Sequence, residues 1–127
     1  LGIQNLSEAN NNMIDSLEGI SFRRASHVIS ENKRVEICLN ALKNNDPETF
    51  GKKMFESHFS LSKNYEVSSE LLDNIIKKSQ SLDVLGGRLT GAGFGGCCIF
   101  LTNKNDTKMI FDNLSSYFPD LKFVDVI

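Results

Sequence analysis

Apolar residues recur at helical spacing through roughly the first two thirds of this chain and in short runs after it. Leu6, Ala9, Met13, Ile14 and Leu17 mark a short amphipathic helix within 1–18, with Ser7 as its cap and Gly19 as its breaker. A longer pattern runs from Ser21 to Lys43, with Ala25, Val28, Ile29, Val35, Leu39 and Leu42 on a drifting apolar face. Arg23 and Arg24 near its start oppose the helix dipole, so they need acidic partners. His27 and Glu31, four apart, can meet across one turn. Asn44-Asn45 ends this helix. Asp46-Pro47 opens another, with Asp46 as cap and Pro47 in the first turn, carrying Phe50, Met54, Phe55 and His58 to about Leu61.

Residues 62–66 read as a polar turn. Ser68 or Ser69 then caps a fourth helix with Leu71, Leu72, Ile75 and Ile76 inward and Lys77 and Lys78 near its favourable end. Strands follow at about 86–90 and 97–102. A helix at 105–117 turns Met109, Ile110, Leu114 and Tyr117 inward, and the alternation of Leu121, Phe123, Val124 and Val126 predicts a last strand to Ile127. This order makes the class α+β, with helices packed on a small, mostly antiparallel sheet.

Composition narrows the function without naming it. The 127 residues suffice for one domain with a real core but not for a typical two-domain enzyme. A net charge of −2 argues against a nucleic-acid or anionic-membrane surface. No apolar stretch approaches the roughly 20 residues that cross a bilayer. Three cysteines, Cys97 and Cys98 adjacent, form no disulfide framework and suggest reduced thiols. His27 and His58 are too isolated to suggest a metal site, and none is expected in this chain.

The distinctive chemistry lies in residues 86–96, Gly-Gly-Arg-Leu-Thr-Gly-Ala-Gly-Phe-Gly-Gly, which hold six of the nine glycines. That density points to a backbone role other than packing, such as a nest of N–H groups that holds phosphate. A Walker A loop needs Lys-Ser/Thr after its last glycine, whereas Gly96 precedes Cys97-Cys98. Gly91, Gly93 and Gly96 match the letters of a dinucleotide loop, but an apolar strand-like run follows instead of a helix. A protein-kinase glycine loop lacks its downstream motifs here. A plain hairpin with permissive glycines stays open, although it needs only one or two of them.

Thr90-Gly91-Ala92-Gly93-Phe94-Gly95-Gly96, preceded by Gly87-Arg88-Leu89, resembles the third motif of the GHMP small-molecule kinases, the galactokinases most of all. Two upstream blocks agree in order and spacing, Arg23 through Val35 and Phe50 through Leu61 with Tyr65-Glu66-Val67-Ser68 after it. One departure stands out: Ser69-Glu70-Leu71-Leu72-Asp73 replaces the family's Cys-Pro-Glu-Leu-Asp.

The resemblance implies that 1–127 is the ferredoxin-like GHMP kinase C-terminal domain, a fragment lacking the N-terminal domain that carries the sugar-binding, catalytic and Ser-rich phosphate-loop residues. It implies ATP and Mg2+ as cofactors of the whole protein and transfer of the γ-phosphoryl group to galactose, in the cytoplasm. No catalytic residue is expected here, and the fragment alone should be inactive. A non-catalytic sugar and ATP sensor is the alternative. By resemblance, Thr90, Gly91, Ala92, Gly93, Phe94, Gly95 and Gly96 lie against the nucleotide phosphates, with Phe94 as a packing anchor. Arg88 is either a phosphate, carboxylate or interface contact, or else an exposed strand residue or half of a structural ion pair. Both histidines read as hydrogen-bonded structural groups. The partners implied are the missing domain, a sugar and ATP, with no nucleic acid or membrane. An apolar face beside the loop should be exposed where that domain would pack, and could make the fragment dimerise.

Overall fold

Two arginines set the course of the chain, because they tie the start of its longest helix to the end of the next. The computed structural model describes residues 3–5, 8–91, 96–124 and 126–127. The first helix, α1 (Asn11–Ile14), is one turn, capped by Asn10, whose side chain accepts from the Met13 N–H. It is much shorter than the pattern in 1–18 suggests, and the expected cap Ser7 lies outside the described residues. Asparagines bond to nearby backbone and favour caps over helix interiors, which accounts for the shortening at Asn10-Asn11-Asn12. Gly19 does not break a helix. It opens α2 (Gly19–Lys43) at φ +57°, a left-handed conformation that glycine adopts without strain.

The helix α3 (Pro47–Ser60) starts as its sequence dictates, with Asp46 accepting from the Thr49 N–H and Pro47 in the first turn. The expected polar turn at 62–66 is instead a continuation of α3 as a π-helical segment, Leu61–Tyr65, ended by Glu66 at φ +58°. Arg24 donates to the Asn64 carbonyl at 2.6 Å and Arg23 to that of Lys63 at 3.5 Å, and both pair with the Glu66 carboxylate. The cations that oppose the dipole of α2 thus satisfy carbonyls at the far end of α3, where positive charge is favourable.

Ser69 caps α4 (Glu70–Ser79), accepting from Leu72 N–H at 3.2 Å. Strands β1 (Val84–Thr90) and β2 (Cys97–Thr102) pair antiparallel, with Leu89 opposite Cys98 and Thr90 opposite Cys97. The last helix is α5 (Thr107–Tyr117). Leu61, Leu72 and Leu89 meet with Val67 and Cys98 against them. Ile75, Ile76, Ile110 and Leu114 are also buried. The α+β class with helices on a small antiparallel sheet therefore stands, with two strands among the described residues.

Several inward assignments fail. Leu71, Met109 and Tyr117 face solvent, and Tyr117 instead lies 3.7 Å from the Lys78 ammonium in a cation–π contact. The expected last strand does not form over the described residues of 121–127. Alternation suits a strand but supplies no neighbour, and a strand needs an edge to pair with. Phe123 packs edge-on to Phe111 of α5 with centroids 5.3 Å apart, while Val124 is 82% exposed.

Candidate functional site

The glycine segment divides into two parts with different physical roles. Gly86 lies against Gly51 of α3, and the Phe100 ring covers Gly87, so these two glycines serve packing, contrary to the expectation for the whole run. Gly91 differs: it is exposed at φ +78°, with open space where a side chain would be. The antiparallel ladder brings the two ends of the loop together at Thr90 and Cys97. Of the expected phosphate-binding residues, Thr90, Gly91 and Gly96 are described, and Ala92, Gly93, Phe94 and Gly95 lie outside the described residues. Gly96, like Gly91, is exposed.

The strand leading into the loop is held from its outer side by a histidine. The Leu89 N–H donates to His58 Nδ1 at 3.1 Å, and His58 Nε2 lies 2.9 Å from Asp73 Oδ1. An accepting Nδ1 carries no proton, so the ring is the neutral Nε2–H tautomer donating to Asp73. Burial, complete for this side chain, lowers its pKa, and this outweighs the raising effect of Asp73. The contact is therefore a charge-assisted hydrogen bond and not an ion pair. Ser62 and Ser68 each donate to Asp73 at 2.7 Å. Burial works to raise the Asp73 pKa, but these bonds and that from His58 prevail and hold it low.

A second network joins β1 to α2 and α3. Arg88 Nη1 donates to Ser57 Oγ at 3.0 Å and lies 3.6 Å from Glu31 Oε2, while its Nε donates to the Leu89 carbonyl at 2.9 Å. Ser57 in turn donates to Glu31 at 2.8 Å, and Arg34 donates to the other carboxylate oxygen at 2.6 Å. Burial would raise the Glu31 pKa, yet the Arg34 and Ser57 bonds keep it lowered. Arg88 is engaged in a structural ion pair that joins α2, α3 and β1. Glu31, taken by these groups, makes no hydrogen bond to His27. The His27 Nδ1 instead lies 2.8 Å from Ser60 Oγ, its ring 4.9 Å from that of Tyr65, and burial lowers its pKa. Both histidines are hydrogen-bonded within the domain, as expected of them.

Beside these groups an open groove of about 380 Å3 runs between α2, α3 and the sheet. Val35, Leu39 and Leu42 from α2, Phe50 from α3, and Thr90 and Ile99 at the loop's strands line it, with Arg34, Lys53 and Arg88 among the polar residues. The apolar half of α2 that should have been core is thus uncovered: Leu42 is 64% and Val35 58% exposed. Contiguous exposure of this kind marks a contact surface. It lies where an apolar face beside the loop is expected.

Among the described residues no group of three or more His, Cys, Asp or Glu could hold a metal ion. Glu31 and Asp73 are both committed to protein hydrogen bonds. No described helix is long and apolar enough to cross a membrane. Cys38, Cys97 and Cys98 are free. Asp73, Ser57, Ser62 and Gly51 escape sequence reasoning. Nothing local in the sequence pairs Asp73 with a histidine 15 residues earlier.

Comparison with known proteins gives one consistent result. Residues 38–120 match the family model of the GHMP kinase C-terminal region. A galactokinase of Clostridium perfringens is 43% identical over 99 residues, which are 77% of this chain and 26% of that protein. One from Pyrococcus furiosus is 39% identical over 112 residues, 88% of this chain and 32% of that protein. The crystal structure of Lactococcus lactis galactokinase complexed with galactose superposes with a TM-score of 0.85 at 32% identity, covering 94% of this chain and 32% of that one. The chain thus spans about a quarter to a third of the length of these relatives.

Proposed function

The chain belongs to the GHMP kinase family through its C-terminal domain, and on that premise we propose that it is the C-terminal part of a galactokinase, which converts ATP and galactose to ADP and galactose 1-phosphate. The observation that carries this reading is agreement of sequence and shape. Relatives at about 40% identity are galactokinases, and the galactose complex from Lactococcus lactis shares nearly the whole fold.

In this reading the loop from Thr90 to Gly96 faces the nucleotide phosphates. Exposed Gly91, held at positive φ at the tip of a rigid ladder, suits a backbone that must approach an anion closely. Phosphoryl transfer rests on positioning and charge neutralisation, and this domain's share is to hold donors in place at one end of the phosphate chain. A bond forms between the anomeric hydroxyl oxygen and the γ-phosphorus as the bond to the bridging oxygen breaks, and ADP leaves. The hydroxyl proton goes to a base in the rest of the protein. Magnesium, when bound, would supply charge neutralisation on the phosphates; no group of three or more His, Cys, Asp or Glu among the described residues is arranged to hold it.

The groove face of Val35, Leu39, Leu42 and Ile99 is where the remainder of the polypeptide packs. Without that cover, the same face drives self-association. A protein that uses ATP and free sugar in this way works in the cytoplasm.

The test is an assay of the complete gene product with the preceding coding region restored. Magnesium-dependent formation of galactose 1-phosphate is expected, and none from residues 1–127 alone. Binding of galactose and ATP without turnover would replace the kinase with a sensor. Binding of neither would remove the reading.

A further inference from the structure

The geometry points to His58 as a positioning residue of the glycine loop: its neutral ring, fixed by Asp73, holds the Leu89 amide and thereby sets where β1 delivers Thr90 and Gly91. Where the loop acts on phosphate, the inference rests on the proposed kinase reading. The hydrogen-bonding itself does not.

At Leu89, among the described residues, β1 has β2 on one side and no strand on the other. An outward N–H there would be an orphaned donor in a buried place, since Leu89 is only 2% exposed. His58 Nδ1 takes it, acting as the missing neighbour strand. The ring cannot turn to make another bond. Its opposite nitrogen is held by Asp73, and Asp73 by Ser62 and Ser68, so π segment, α4 and strand converge on one imidazole. The next residue after Leu89 is Thr90, the last rung before the left-handed Gly91. A shift at Leu89 therefore passes into the loop without any packed element between.

The charged groups facing the ring are Asp73 from α4 and Arg88 from β1, the latter paired with Glu31 of α2. Neither replaces the Leu89 bond. Asparagine and glutamine separate the two halves of the imidazole. Asparagine places an amide oxygen where Nδ1 stands, and glutamine reaches only as far as Nε2.

The complete protein carrying His58→Asn or His58→Gln is compared with wild type by KM and kcat for ATP and for galactose. We expect His58→Gln to raise the ATP KM about tenfold with the galactose KM changed less than about twofold, and His58→Asn to restore the ATP KM to within about twofold. Equal ATP KM values in the two variants, or ATP and galactose KM rising together, would overturn the inference in favour of a merely structural histidine. If His58→Gln does not fold, His58→Asn decides alone: an ATP KM near wild type supports the assignment, and a tenfold rise removes it. Amide hydrogen exchange of Leu89, Thr90 and Gly91 gives a readout that survives failure of the kinase reading. Faster exchange at these residues in His58→Gln than in His58→Asn supports the positioning role even in a protein without turnover, and equal exchange overturns it.

Discussion

Gly51 of α3 and Gly86 of β1 meet backbone to backbone, so closely that neither position has room for a methyl group. A Cβ at Gly51 would lie 2.9 Å from the Gly86 nitrogen and closer still to the Leu85 carbonyl, and one at Gly86 would lie 2.7 Å from the Gly51 carbonyl carbon. Backbone cannot rotate aside as a side chain can, so relief requires the helix and strand to separate. Gly51→Ala and Gly86→Ala should each cost about 2–3 kcal/mol in urea unfolding, the range of overpacked cores. The nearest atoms that Gly87→Ala meets are side-chain atoms, the Phe100 ring and the Ile76 Cδ1, which can give way, so it should cost about 1 kcal/mol. Equal losses at all three positions would contradict the backbone contact.

That contact also marks the boundary of what the sequence reveals. Local chemistry is legible: Asp46-Pro47 and Ser69 cap the helices they were assigned, and the strands on either side of the loop fall within two residues of expectation. The requirement that Arg23 and Arg24 find acidic partners is met by Glu66, although nothing in the sequence says which acid. Relationships across 15 to 40 residues are not legible, because they depend on how helices cross. His58 reads as a structural histidine, yet its bonds to Asp73 and Leu89 exist only once α3, α4 and β1 have packed. The absent last strand fails for the same reason, since its partner is decided by the fold and not by its own alternation. Val35, Leu39 and Leu42 carry a core-like pattern and are exposed, because a helix face shows only that something apolar covers it, not whether this domain does.

Stability should fall in two stages as the solution is acidified. His27 and His58 have folded pKa values lowered from the usual 6.5 by burial. The unfolded chain therefore binds their protons first, and stability that is complete above about pH 6.5 is lost as pH falls toward the folded values. Asp73 and Glu31 are held below their usual 3.8 and 4.5, so their contribution is complete above about pH 4.5 and is lost below it. Urea midpoints measured from about pH 8 down to about pH 2 should decline across both windows. His58→Asn, which does not titrate, should flatten the upper one. An unchanged slope in that variant would show that His58 is not protonated on unfolding.

Cys97 and Cys98 are adjacent in β2 and point to opposite faces, one exposed and the other against Leu61, Leu72 and Leu89. Burial pushes the Cys98 thiol up to about 12, so the thiolate that alkylating agents need is scarce there. Iodoacetamide at pH 8 should label Cys97 well before Cys98, as read by peptide mass spectrometry. On the proposed kinase reading, magnesium and ATP should slow labelling of Cys97, which follows Gly96 directly, in the complete protein. Labelling of Cys97 that ignores ATP would separate the loop from the nucleotide.

The exposed half of α2 gives the proposed domain contact its most direct test. Leu39 is 52% and Ile99 46% exposed, in a groove that also holds Val35, Leu42 and Phe50, carries Arg34, Lys53 and Arg88 among its polar residues, and reaches the loop strands at Thr90. Water against such a surface is replaced favourably by any matching one, whether the rest of the polypeptide or a second copy. Residues 1–127 alone should sediment as a concentration-dependent dimer. Leu39→Glu places a charge on the face without entering the core. It should leave a monomer whose urea midpoint differs by less than about 0.5 kcal/mol from wild type. The same change in the complete protein should weaken the seating of this domain and so raise the ATP KM. A wild-type chain that sediments as a monomer at every concentration would show that the groove does not drive association.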